Sequence, residues 1–373
     1  MRIHMSSPDI THLEIDAVTS VLQSRYLSIG PQINHFEEQF ATYCAANYGI
    51  AVNSGTSGLH LGIIAAGIKD ADEVITSSFS FIASANCIAY ERARPVFVDI
   101  DPATANIDPA LIEAAITDRT RAILPVHSFG QPADMDRIQV IARKYNLPII
   151  EDACEAIGAE YKGRRVGTLG DCGVFAFYPN KQMTTGEGGL IVTNNPDWAQ
   201  QFRSLRNQGR DVFDAWLNHT RLGYNYRMDE MSAALGVVQL SRIEELLAKR
   251  ARIAGLYNKQ ISEIKGLNIP YIAPTTTRMS WFVYVIRCGE QISRNLLMSY
   301  LAEHGIDSRP YFTAIHLQPF YQQTYGYKRG DLPHAEHASD TYLALPFSSI
   351  MTETEVDYVC HHLRLGVMQI TGA

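Results

Sequence analysis

Cysteine is scarce and scattered: six residues, at 44, 87, 154, 172, 288 and 360, with no CxxC pair among them. That spacing argues against a zinc site, and thiols spread thinly through a chain of this size suit a reducing cytoplasm. Runs of basic charge are also missing. Thirty-two Lys and Arg face 39 Asp and Glu, a net charge of −7, so nucleic acid is not an expected partner. The longest apolar stretches, such as LGIIAAGI over 61–68, fall far short of the roughly 20 residues a membrane helix needs. The opening MRIHMSSPDI has no apolar core of secretory type, so the expected location is the cytoplasm. No G-x-G-x-x-G follows the first strand-like runs, which counts against a dinucleotide-dependent oxidoreductase. There is no internal repeat and no low-complexity segment.

What is present is a large apolar content, 46% of 373 residues, enough for a core in two lobes. Apolar spacing predicts amphipathic helices over 8–22, with Ile10, Leu13, Val18 and Val21 on one face, and over 33–46. Strand-like runs then recur at 73–77, 94–100, 121–127 and 147–153, separated by helical stretches near 57–67, 81–91, 109–116 and 134–145. Such alternation predicts an α/β layer fold with a mostly parallel sheet. A long helical region follows Met228. After KGLNIPYIAP the pattern changes to a strand (WFVYVIRC) and helices near 290–304 and 353–364. The expected division is a large domain over 1–250 and a smaller C-terminal α+β domain over 251–373.

Ligands of open α/β sheets gather at the carboxyl ends of the strands. Along this chain those ends deliver Ser78, Phe79 and Phe81, then His127, then Asp152 and Glu155. The run FAFYPNKQMTTGEGGLIVTN adds one lysine, Lys181, between two β-like segments. A lysine held away from water becomes a nucleophile for carbonyls. Pyridoxal 5'-phosphate (PLP) uses such a lysine together with a carboxylate for its ring nitrogen and a cradle for its phosphate. Asp152 suits the carboxylate. NSGTSGLHL over 53–61, a small polar turn running into a helix, suits the phosphate. Each element has an ordinary alternative: a solvated lysine, a helix cap, a core phenylalanine. The case rests on their combination and order.

At this point the chain resembles the sugar aminotransferases of the DegT/DnrJ/EryC1/StrS group, PLP enzymes of fold type I. The resemblance rests on eight blocks in order, among them YLSIGPQINHFEEQFATY, AVNSGTSGLHLGI, IIEDACEAIGA, FYPNKQMTTGEGG, LGYNYRMDEMSAALG and SRPYFTAIHLQPFY. It implies that Lys181 carries the cofactor, that Asp152 pairs with its ring nitrogen and that Phe81 stacks on the ring. It also implies that Gly55, Thr56 and Ser57 hold the phosphate, and that Asn225 reaches the phosphate of a neighbouring subunit in a homodimer. Two positions depart from the family's commonest pattern. Glu155 stands where many members have Gln, and Ala176 where many have a phosphate-binding Ser. An ionised Glu cannot donate to the ring's phenolate oxygen as Gln does.

The resemblance further implies transfer of an amino group from L-glutamate to a nucleotide-linked keto sugar, by way of pyridoxamine 5'-phosphate. Glu155 and the segment 305–321 point to the perosamine-synthase-like branch and to C4 of a 4-keto-6-deoxy sugar. His316 and Arg309 are its candidate substrate contacts. Amination at C3 of a 3-keto sugar and a non-catalytic PLP-binding protein are the alternatives. Sugar dehydratases of the same scaffold replace the lysine by histidine, and Lys181 speaks against that chemistry.

Overall fold

The computed structural model describes residues 1–211 and 218–372. Its main sheet contains β1 (Tyr48–Val52), β2 (Glu73–Ser77), β3 (Arg94–Val98), β4 (Thr120–Leu124), β5 (Ile150–Asp152), β8 (Cys172–Ala176) and β9 (Gly189–Thr193). Two further short strands, β6 (Glu160–Tyr161) and β7 (Arg164–Arg165), form a ribbon with β11 (Thr276–Arg278). Strand β2 lies between β3 and β4, parallel to both, and β5 is parallel to β8. Parallel bridges Ile123–Ile149 and Val126–Asp152 join β4 to β5, so the strands run side by side in the order β3-β2-β4-β5-β8-β9-β1. Only β9 is reversed, antiparallel to both β8 and β1. Every residue of β2 and of β9 is buried, as a sheet covered by helices on both faces requires.

The reversal of β9 matters for function. A parallel neighbour would need a long crossover, whereas an antiparallel one follows by a hairpin. The hairpin loop 177–188 therefore stays at the carboxyl end of β8, and Lys181 sits on it. It is a shaped loop. Phe177 donates to Gly188 O, Thr185 N–H returns to Phe177 O, and Lys181 N–H closes a turn onto Tyr178 O at 2.8 Å.

The second sheet is antiparallel, β10 (Leu267–Asn268), β12 (Tyr284–Cys288) and β13 (Tyr342–Leu345), packed with the helices Arg294–Glu303 and Glu353–Thr371. The helix Ile243–Ile261 spans both cores. Its Ile243 and Leu247 pack into the large one, its Ile253, Tyr257 and Ile261 into the small one. The expected domain limit at residue 250 falls inside that helix. A further apolar cluster joins Phe79, Phe97 and Phe129 to Phe282, Val285 and Tyr342, so the two halves share a seam.

The N-terminal helix departs from expectation. It runs His12–Leu22, started by a capping box in which Thr11 and Glu14 satisfy each other's backbone N–H groups. Of its residues only Glu14 and Val21 are buried; Leu13, Ile15 and Leu22, with Ile10 before it, are exposed. Glu14 is drawn inward by Arg242 and Gln239, which bond its Oε1 at 2.7 and 2.8 Å. Burial raises its carboxyl, but the bonds from Thr11, Arg242 and Gln239 outweigh it and hold the carboxyl down at about 2. Polar pairing thus sets the inward face, and of the predicted apolar face Val21 is buried and Val18 half-buried while Ile10 and Leu13 lie at the surface. The region after Met228 is two helices, Glu230–Ser241 and Ile243–Ile261.

Candidate active site

The carboxyl ends of β2, β5 and β8 open into one cavity of about 570 Å³. It is closed on the other side by Phe282, Tyr311 and Phe312 from the C-terminal part of the chain. Gly55, Thr56, Phe81, Asp152, Glu155, Ala176 and Lys181 all line it.

At one end lies the start of the helix Gly55–Ala65. Ser54 caps it, accepting the Ser57 N–H at 3.1 Å. Among the described residues, the N–H groups of Gly55 and Thr56 have no acceptor. They are free donors at the positive end of a helix. The backbone there is tightly packed. A Cβ on Gly55 would stand 2.7 Å from Ala176 Cβ, and one on Gly189 would stand 2.6 Å from the Ser54 carbonyl carbon and oxygen. Glycine at both positions lets the helix start nest against the lysine hairpin, leaving a cradle of backbone N–H groups. Ser57 turns away from it. Its N–H goes to Ser54 and its hydroxyl donates to Asn53 Oδ1 at 2.6 Å. Ser57, expected in the cradle, gives its N–H to the cap residue Ser54 and does not line the cavity.

Asp152, the last residue of β5, is buried. Its Oδ2 accepts from the Ser84 hydroxyl at 2.6 Å and its Oδ1 from the Cys154 N–H at 3.1 Å. Both oxygens are thus oriented from behind. Phe81 follows β2 and is 60% exposed although it lines the cavity. A phenyl face left open inside a cleft is built to be covered by a flat ligand.

Lys181 Nζ stands 3.8 Å from Glu155 Oε1 and 3.7 Å from the centroid of the Phe282 ring. Glu155 is buried, and its Oε2 accepts the Phe129 N–H at 2.9 Å. Phe129 takes a left-handed backbone, φ 59 and ψ 11, a conformation costly for a bulky side chain that aims its N–H at the carboxylate. Burial pushes the Glu155 carboxyl up to about 7, with Asp152 adding to the rise and the Lys181 amine and the Phe129 N–H opposing it. Near neutral pH Glu155 is therefore poised to carry a proton.

A folded pKa above the usual carboxylate value means that the folded state binds the proton more tightly than the unfolded one. The stabilising contribution is complete below about 4.5 and is lost as pH rises through about 7. Glu155→Gln should remove that dependence. In thermal melts of the cofactor-free protein, the variant should gain on wild type as pH rises from 4.5 to 8, by on the order of 3 kcal/mol at most. An unchanged difference across that range would show that Glu155 does not titrate there.

Other candidates lie elsewhere. His316 is buried in the C-terminal part, its Nδ1 bonded to Ser78 Oγ at 2.6 Å and its Nε2 to Glu336 Oε1 at 3.1 Å. With both ring nitrogens used it cannot touch a sugar, and its expected substrate role is corrected to a structural one. His127 is likewise buried between Glu151 and the Ala133 N–H. Arg309 does not line the cavity. It is exposed, forms no ion pair among the described residues, and acts electrostatically on Tyr311 of the cavity wall. Burial and the neighbouring Glu155 push that tyrosine up to about 12. Asn225 is exposed, outside its own chain's cavity, and its backbone carbonyl accepts from Asn53 Nδ2 at 3.4 Å. Sequence reasoning missed Ser84, Phe282, Tyr311 and the Phe129 N–H. Ser84 follows Phe81 by three residues in FSFIAS, one helical turn on, the one signal that could have found it.

The family model "DegT/DnrJ/EryC1/StrS aminotransferase family" matches residues 8–364. The GDP-perosamine synthase of Caulobacter vibrioides is 42% identical over 362 residues, 96% of each chain. Among solved structures, DesV of S. venezuelae superposes with a TM-score of 0.92 at 34% identity, covering 98% of each chain. The sugar aminotransferase Spr1654 of Streptococcus pneumoniae in its PLP form gives 0.94 at 28% identity, covering 99% of this chain and 100% of that one.

Proposed function

The chain belongs to the DegT/DnrJ/EryC1/StrS aminotransferase family, and on that premise we propose that it moves the amino group of L-glutamate to C4 of a nucleotide-linked 4-keto-6-deoxy sugar. The observation that carries this is the cavity in which Lys181, Glu155 and Asp152 meet a helix start with free N–H groups. Those residues fit PLP. The Gly55 and Thr56 N–H groups would take its phosphate, Phe81 would cover one face of its ring, and Asp152 would hold the proton on its ring nitrogen. When bound, PLP supplies an electron sink and a carrier for the amine.

The chain's own groups do the rest. Asp152, fixed by Ser84 and the Cys154 N–H, keeps its charge aimed at one point. The Lys181 amine would hold and move the proton at the donor's α-carbon and, in the opposite sense, at C4 of the acceptor sugar. Glu155, with one oxygen held by Phe129, presents the other toward the Lys181 amine. Phe282, Tyr311 and Phe312 exclude water from above. Arg309, near the Tyr311 wall, is placed to meet a diphosphate.

The C4 assignment draws on Glu155 and on the relative named GDP-perosamine synthase. It is tested by product NMR after turnover with 4-keto and 3-keto nucleotide sugars. Amination only of the 4-keto substrate is expected; efficient amination only of the 3-keto sugar would overturn the position and leave the aminotransferase intact.

The working unit is a homodimer in which Asn225 serves the partner's cofactor. Support comes from its exposed position outside its own cavity, and from the apolar N-terminal surface of Leu13, Ile15, Leu22 and Leu27. Asn225→Ala, shown first to be inactive alone, should regain activity when mixed with Lys181→Ala, because a hybrid holds one intact site. A fully active monomer by light scattering would contradict this arrangement.

A further inference from the structure

Arg250 is only 2% exposed, and no carboxylate pairs with it among the described residues. A buried guanidinium without a counter-charge is expensive, and an apolar side chain of similar size would serve stability as well. Its donors go to carbonyls on two separate segments. One nitrogen reaches Lys181 O at 2.8 Å and Asn180 O at 3.5 Å; the other reaches Phe282 O at 3.1 Å and Trp281 O at 3.4 Å. Neither loop carbonyl has another donor. The first segment is the hairpin loop after β8, and the second leads into β12. Phe282 is also the ring beneath the Lys181 amine, at 3.7 Å.

We infer that Arg250 is the positioning residue of Lys181: its planar fork fastens the lysine loop to the Phe282 segment and so fixes the amine over that ring, at the seam of the two lobes. Arginine is required because one rigid plane spans both segments; a lysine ammonium carries the charge but cannot bridge them. The helix bearing Arg250 packs into both cores, so the amine's position is tied to how the lobes sit together. What the amine does once placed rests on the aminotransferase reading; the clamp does not.

The test compares Arg250→Met and Arg250→Lys with Tyr257→Phe. Tyr257→Phe removes a buried hydrogen bond to Pro346 O away from the loop and serves as the stability control. Two quantities are read: the rate at which an amine-acylating reagent modifies Lys181 in the cofactor-free chain, by peptide mass spectrometry, and the visible circular dichroism per bound PLP. Both Arg250 variants should label Lys181 at least about fivefold faster, as local opening becomes easier, and should lose about half or more of the dichroism. Tyr257→Phe should lower the melting temperature and leave both readings alone. Arg250 variants that melt lower yet label and absorb as wild type would reduce Arg250 to a space-filler. If Arg250→Met does not fold, Arg250→Lys decides on the same readings. A wild-type protein that takes up no PLP would defeat the functional reading, while the labelling rate would still report on the clamp.

Discussion

Lys181→Ala should abolish turnover, by at least about a thousandfold, while leaving the protein folded. The loss follows from position. Lys181 is the amine that lines the cavity, against the Phe282 ring and beside Glu155, and no other lysine lines it. The fold is spared because the side-chain amine makes no hydrogen bond among the described residues, only the long contact with Glu155 and the one with the Phe282 ring. Removing the amine also removes a group that holds the Glu155 carboxyl down, so Glu155 should titrate still higher in the variant. Steady-state transamination with unaltered melting temperature separates the two effects. Normal turnover would sink the mechanism.

Asp152→Asn should cost about a hundredfold in rate, comparable to loss of a preorganised charge in other active sites. The carboxylate is held by two donors, the Ser84 hydroxyl and the Cys154 N–H. An amide can keep only one of those contacts in the same pose and brings no negative charge to hold a ring proton. Ser84→Ala should lower the rate less, since the Cys154 N–H still orients the carboxylate. A rate for Asp152→Asn within a few-fold of wild type would refute the assignment.

Much of this site was legible in sequence because strand ends are legible. β2, β5 and β8 each finish one to five residues before Phe81, Asp152 and Lys181 or include them, and polar residues after buried apolar runs mark such ends. What stayed hidden depends on tertiary contacts. Phe282 and Tyr311 come from a distant part of the chain, and only folding brings them over the cavity. His316 was a candidate because segment 305–321 resembles the perosamine-synthase-like branch, yet Ser78 and Glu336 use both of its nitrogens. The N-terminal helix misled for the opposite reason. Its apolar spacing is real, but the buried Glu14–Arg242 pair sets which side faces inward.

Lys181 as the covalent anchor of PLP is the central proposal, and one measurement addresses it directly. The purified protein is loaded with PLP, reduced with borohydride, digested and sequenced by mass spectrometry. A phosphopyridoxyl group on the peptide carrying Lys181, prevented by prior addition of L-glutamate, is the predicted result. A modification mapped to any other lysine, or none despite bound PLP, would contradict it.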